Sequence, residues 1–115
     1  MKLIYIAGAY RAPTDEGVEA NIAKARDVAI RLWKTREWAV ICPHSNSSHM
    51  PIDDDIVLLG DLEIVSRCDA IYMMQGWDES EGARNELRLA ISLQLEIYDD
   101  GLLTEIAGYV KGESR

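Results

Sequence analysis

Three stretches of the chain are almost wholly apolar and short: residues 2–7, 38–42 and 68–74. Runs of this length, without polar alternation, predict strands buried on both faces of a parallel sheet. Between them the pattern changes to helical spacing. Ile22, Ala25, Ala29, Leu32 and Trp33 predict a helix over residues 21–36, with Trp33 in the core. Ile56, Leu59, Leu62 and Ile64 predict a second helix over 56–67, with those four side chains inward. Leu87, Leu89, Ala90, Ile91 and Leu93 predict a third over 80–93, opened by Ser80 as N-cap. A short strand over 95–98, a turn at Asp99-Asp100-Gly101, a last helix over 102–110 and a frayed tail over 111–115 complete the pattern.

Strand and helix alternate, so the expected fold is α/β, a flavodoxin- or Rossmann-like three-layer sandwich around a small, mainly parallel sheet of four to five strands. At 115 residues the chain makes one domain, residues 1–115, with a core that needs no staples. No G-x-G-x-x-G follows the first strand, and the length suits a mononucleotide-sized ligand better than a dinucleotide.

Composition and charge narrow the partners. The net charge is -8 with no cluster of Lys and Arg, which argues against a nucleic-acid polymer, whose phosphates demand a basic face. It leaves room for one phosphate held by backbone N–H groups. There is no long apolar span or leader pattern, and Cys42 and Cys68 have no CxxC spacing, so a cytoplasmic protein with free thiols and no membrane partner is expected. His44 and His49 lie near Asp53–Asp55, but their spacing matches no zinc pattern, so neither metal nor cofactor is expected.

The candidate chemistry sits at strand ends, where ligands of open α/β sheets bind. Gly8-Ala9-Tyr10-Arg11 follows the first strand as a tight turn, with Tyr5 inside that strand and Arg11 just past it. Tyr5 reads as core with a satisfied hydroxyl, and Arg11 as a charge facing the ligand side. Residues 43–55 read as a long irregular connection that closes over a polar ligand, with His44, beside the strand end, as its contact. Asn21, near the expected helix start, reads as a capping or first-turn residue and also as a ligand contact. The third crossing, Trp77 to Leu87, holds the densest signal. Ser80, Gly82 and the free N–H groups of a helix first turn form an anion cradle. Glu86, about a turn and a half on, directs its carboxylate back toward the same place. Arg84 and Arg88 are each two residues away and cannot pair with it along the helix.

Three segments together resemble the nucleoside 2-deoxyribosyltransferase-like superfamily: residues 4–11, Gly60-Asp61-Leu62, and residues 80–87. The sequence looks most similar to small uncharacterised phage and bacterial members and to the 2'-deoxynucleoside 5'-monophosphate N-hydrolases. The resemblance implies Glu86 as nucleophile, Asp61 as its catalytic support and Tyr5 as the residue that positions Glu86. Six residues before the nucleophile the transferases carry Asp, whereas the monophosphate hydrolases carry the Ser found here as Ser80. That implies a 5'-phosphate on Ser80 and Gly82, with Gly8, Tyr10, Arg11, Asn21, His44 and Trp77 as further substrate contacts. The implied reaction is cleavage of an N-glycosidic bond of a nucleoside 5'-monophosphate with release of the free base. Base exchange between nucleosides is the alternative, and a non-catalytic nucleotide-sensing module is another. The resemblance also implies a homodimer or larger homo-oligomer, with the segment from Tyr98 to Tyr109 and Trp77 as its expected contact.

Overall fold

A computed structural model describes residues 1–46 and 50–99. The element order is β1 (Lys2–Ala7), α1 (Asp15–Lys34), β2 (Trp38–Ile41), α2 (Pro43–Asn46), α3 (Asp54–Ser66), β3 (Ala70–Met73), a 3₁₀ turn (Trp77–Glu79), α4 (Glu81–Ser92) and β4 (Glu96–Asp99). The expected helix over 102–110 lies outside the described residues. No helix among the described residues is long and apolar enough to cross a membrane.

The described strands form one parallel sheet in the order β2-β1-β3-β4. β1 is central, pairing Tyr5 with Ile41 on one side and with Ile71 on the other. Because side chains alternate along a strand, β1 feeds two cores. Ile4 and Ile6 point to the α1 layer with Ala25, Val28 and Ala29. Tyr5 and Ala7 point to the opposite layer with Val65, Trp77, Ala83, Leu87 and Ala90 from α3, the 3₁₀ turn and α4. This is the expected three-layer α/β sandwich.

Several elements differ in detail. α1 starts at Asp15, six residues before the expected Asn21. Thr14 is the N-cap, its hydroxyl accepting from Gly17 N–H at 3.0 Å, and Asp15 and Glu16 supply the acidic first turn that the helix dipole favours. Asn21 is therefore not a cap. α1 ends at Lys34, and Trp33 is 52% exposed because Ala25, Val28 and Ala29 carry the buried stripe. α3 starts at Asp54 and turns Ile56 and Leu59 to solvent, at 61% and 70% exposed. Its buried anchor is Val65, with Leu62 and Ile64 half-buried. Four consecutive apolar residues, Ile56 to Leu59, erase the helical periodicity that would have set its facing. Part of the loop read as irregular forms the single turn α2.

Close packing at the end of β1 depends on Gly8. A Cβ there would lie 2.8 Å from Met74 Sδ and 2.9 Å from Met74 Cβ. Gly8→Ala is expected to lower unfolding free energy by about 1–3 kcal/mol through overpacking, and by less in a Met74→Ala background. Urea denaturation of the two variants and the double mutant measures this.

Candidate active site

The turn after β1, α2 at the carboxyl end of β2, the first turns of α4 and one side of α3 enclose a cavity of about 500 Å³. That falls in the range of small-molecule sites. Its walls include Gly8, Tyr10, Arg11, His44, Asp61, Ser80, Gly82 and Glu86.

Tyr5 and Glu86 meet beneath this cavity. Tyr5 is fully buried, and its hydroxyl donates to Glu86 Oε2, joining residues 81 apart in the chain. The β1 alternation aims Tyr5 at the α4 layer, and the buried positions Ala83, Leu87 and Ala90 set the rotation of α4. Glu86, next to Leu87, is then drawn partly inward. Burial pushes the Glu86 carboxyl up to about 7, and the charge of Asp61 pushes the same way, while Tyr5's hydrogen bond opposes them. Burial also raises Asp61, to about 6. Burial and the Glu86 charge raise the Tyr5 phenol far above its ordinary value, so it stays protonated and remains a donor. Glu86 and Asp61 are thus two carboxyls of raised proton affinity lining one cavity.

At the other end of the cavity Ser80 caps α4, its Oγ accepting from Ala83 N–H at 3.2 Å. The N–H groups of Glu81 and Gly82 lie in the first turn, where a helix supplies no acceptor. A Cβ on Gly82 would meet only Leu58 at 3.7 Å and Ser80 Oγ at 4.0 Å. Both are ordinary contacts, so the fold does not require glycine here. The space that glycine leaves belongs to the cavity.

The remaining predicted residues divide. Arg11 lines the cavity and pairs with Asp54, across its mouth, both about two-thirds exposed. His44 is 3% exposed. Its Nε2 lies 3.0 Å from the Ala9 carbonyl, which can only accept, so Nε2 carries the proton. Nδ1 is left as a buried acceptor with no partner among the described residues, and burial holds the ring below its ordinary pKa. Asn21 does not line the cavity. Its amide donates to the carbonyls of Tyr10 at 3.1 Å and Arg11 at 3.4 Å, holding the wall from behind. Trp77 is 4% exposed in the core beside Leu87, so it neither lines the cavity nor offers a surface to a partner. Tyr10 stands in the wall, its ring 6.0 Å from that of His44.

Sequence reading missed the apolar wall: Met50, Ile52, Val57 and Leu58. Val57 and Leu58 stand four and three residues before Asp61, so an inward Asp61 already implied them. It also missed Glu79 and Glu81, which line the cavity on either side of Ser80. Among the described residues no three His, Cys, Asp or Glu side chains are grouped to hold a metal ion. His49 lies outside the described residues.

Raised carboxyl pKa values link the site to stability. Glu86 and Asp61 hold protons more tightly in the fold than in the unfolded chain, whose reference values are 4.5 and 3.8. Their contribution is full below those values and is lost as pH rises through about 6 and 7. Glu86→Gln, which keeps an acceptor for Tyr5, is expected to be more stable than the wild type at pH ~8 by about 2–3 kcal/mol, with the difference vanishing near pH ~4. Chemical denaturation at the two pH values measures it.

Comparison with known proteins bears on the fold and the family. The structure is similar to a 2-desoxiribosyltransferase from Leishmania mexicana, with a TM-score of 0.62 and 20% identity over 86% of this chain. The chain spans 63% of that protein's length. The four-stranded parallel α/β architecture is thus a nucleoside 2-deoxyribosyltransferase-like fold. No curated protein matches the sequence. Residues 2–99 match the family described as a domain of unknown function, DUF4406, and the chain belongs to it.

Proposed function

We propose that the protein cleaves the N-glycosidic bond of a deoxynucleoside 5'-monophosphate, with Glu86 as nucleophile. The observation that carries this reading is the half-buried Glu86 carboxyl, braced by Tyr5 and sharing its cavity with Asp61. An isolated carboxylate is costly to bury. One held at the mouth of an α/β sheet beside a second carboxyl suits glycoside chemistry, where the reaction runs through an oxocarbenium-like state.

In the first step Glu86 attacks C1' as the C1'–N bond breaks, and the departing base takes a proton from Asp61, directly or through a water it orients. In the second, water attacks C1', gives its proton to Asp61, and releases 2-deoxyribose 5-phosphate with Glu86 restored. Tyr5 holds Glu86 in line. Its donated hydrogen bond favours the ionised form that must attack. Ser80, the free N–H groups of Glu81 and Gly82, and Arg11 hold the 5'-phosphate, which fixes the sugar over Glu86. Tyr10 and the apolar wall of Val57 and Leu58 enclose the rest of the substrate. Two copies of the chain form the working unit.

A second reading has its own observation. Asp54, Glu79 and Glu81 line the cavity with Asp61 and Glu86, and Arg11 is already paired with Asp54. So acidic a lining favours a substrate with an uncharged 5'-hydroxyl. A second base would then replace water, making the protein a base-exchanging transferase.

Incubation with deoxynucleoside monophosphates and with free nucleosides, each with and without a second base, separates the readings by product chromatography. Base release from monophosphates alone supports the hydrolase. Exchange between free nucleosides supports the transferase. Nucleotide binding without product overturns both in favour of a sensing module. The active form needs Glu86 ionised beside a protonated Asp61, so kcat/KM is expected to be bell-shaped with its maximum between pH about 6 and 7. Asp61→Asn is expected to lower kcat by about 10²–10⁴-fold. Tyr5→Phe removes the hydrogen bond that favours ionised Glu86 and should depress the maximum. Gly82→Ala is expected to raise KM for the monophosphate while thermal unfolding stays at the wild-type temperature.

A further inference from the structure

One ion pair crosses the mouth of the cavity. Arg11, in the turn after β1, meets the carboxylate of Asp54, the first residue of α3, and both residues line the cavity. Their side chains are 68% and 69% exposed, so water competes for both partners and the pair is easily broken. Such a bond does little for the stability of the fold. At the rim of a binding site it decides where a guanidinium is kept while the site is empty.

The alternative place for that guanidinium is close by. Leu58 stands one turn after Asp54 on the same side of α3, about 6 Å along the axis. Its Cδ2 lies 3.7 Å from the point where a Cβ on Gly82 would sit. The start of α3 therefore runs beside the first turn of α4, which Ser80 caps. Among the described residues Arg11 is the one Arg or Lys in the cavity lining, and Asp54, Glu79 and Glu81 line it too. An anion that enters meets those carboxylates, and the guanidinium that could offset them is already engaged.

We propose that Asp54 is a specificity-determining residue that competes with the ligand for Arg11. The pair opens only for an anion that binds a guanidinium more strongly than a carboxylate does. A phosphate monoester is such an anion. Its second ionisation lies at about pH 6, so near neutrality it carries close to two charges on three acceptor oxygens. A carboxylate offers one charge on two oxygens. A ligand ending in a free hydroxyl leaves Arg11 on Asp54 and gains nothing from it. The exchange leaves no charge stranded. Asp54, once released, faces solvent in the first turn of α3, where the helix dipole favours an acid. Arg11 gains a partner that the free N–H groups of α4 also hold. This inference rests on the reading that places a 5'-phosphate on Ser80 and Gly82, and adds to it the residue that sets the threshold for entry.

Titration calorimetry with a deoxynucleoside monophosphate and the matching nucleoside tests it, in a Glu86→Gln background so that neither ligand is consumed. Asp54→Asn is expected to bind the monophosphate about 2–5-fold more tightly, the range that an exposed ion pair contributes, and the nucleoside as before. Asp55 carries the same charge on the same turn without pairing to Arg11, so Asp55→Asn is expected to leave both affinities in place. Added to Arg11→Gln, Asp54→Asn is expected to lose its effect. Monophosphate binding by Asp54→Asn that is no tighter than by Asp55→Asn overturns the proposal. So does an equal gain in the presence of Arg11→Gln, which would make Asp54 a general source of repulsion and not a competitor. The underlying reading fails in a different way: Arg11→Gln and Gly82→Ala would then both leave monophosphate affinity at its starting value, and the proposal would fall with it.

Discussion

The hydrogen bond from the Tyr5 hydroxyl to Glu86 is the constraint on which the site depends. It ties the central strand to the helix that closes the cavity, from opposite ends of the described chain. Glu86 is the acidic residue that accepts this bond from a fully buried phenol of the central strand. Its geometry follows from ordinary rules. Strand alternation aims Tyr5 at the α4 layer, and the buried side of α4 brings Glu86 over it. With the phenol kept protonated by burial, the bond acts in one direction only, from Tyr5 to the carboxylate. It both orients Glu86 and resists the upward pull that burial exerts on its pKa.

Burial, in turn, works against the fold. Burial raises the proton affinity of both carboxyls, the charge of Asp61 adds to the effect on Glu86, and above neutral pH the protein must carry charge where solvent is scarce. Such an arrangement weakens a structure, and natural folds keep it where chemistry needs it. The two-core sheet tolerates it because the load-bearing packing lies elsewhere. Ile4 and Ile6 with α1 form one core, and Ile71, Met73 and Leu87 form the other below the site. The cavity thus occupies the rim of the second core, open toward the turn after β1 and the loop before α3.

Much of this was legible in the sequence. The unbroken apolar runs gave the parallel strands, and Ser80, Gly82, Asp61 and Glu86, found along separate segments, line one cavity. What was hidden was facing. Ile56 to Leu59 are apolar without a period, so the sequence pattern placed Ile56 and Leu59 inside, where they are exposed, while Leu62 and Ile64 of the same expected face are half-buried. Trp33 was expected inside by size, yet alanines and valine fill that stripe. Asn21 looked like a cap because the apolar helical spacing begins at Ile22, whereas Thr14 had already opened the helix. Trp77 looked like a ligand or partner contact but fills the core under the 3₁₀ turn. In each case the residue type was informative and its direction was decided by packing at a distance, which a local pattern cannot carry.

The central claim is that Glu86 forms a covalent bond to the sugar. A nucleoside or nucleotide bearing fluorine at C2' slows both steps by destabilising the oxocarbenium-like state, and the second step can then be slow enough to trap the intermediate. Intact-mass and peptide mass spectrometry after incubation with such an analogue is the most direct measurement. The account predicts one added fluorosugar unit on the peptide containing Glu86, and none in Glu86→Gln. Turnover of the unfluorinated substrate with a label on another residue, or with no label at all, would contradict it.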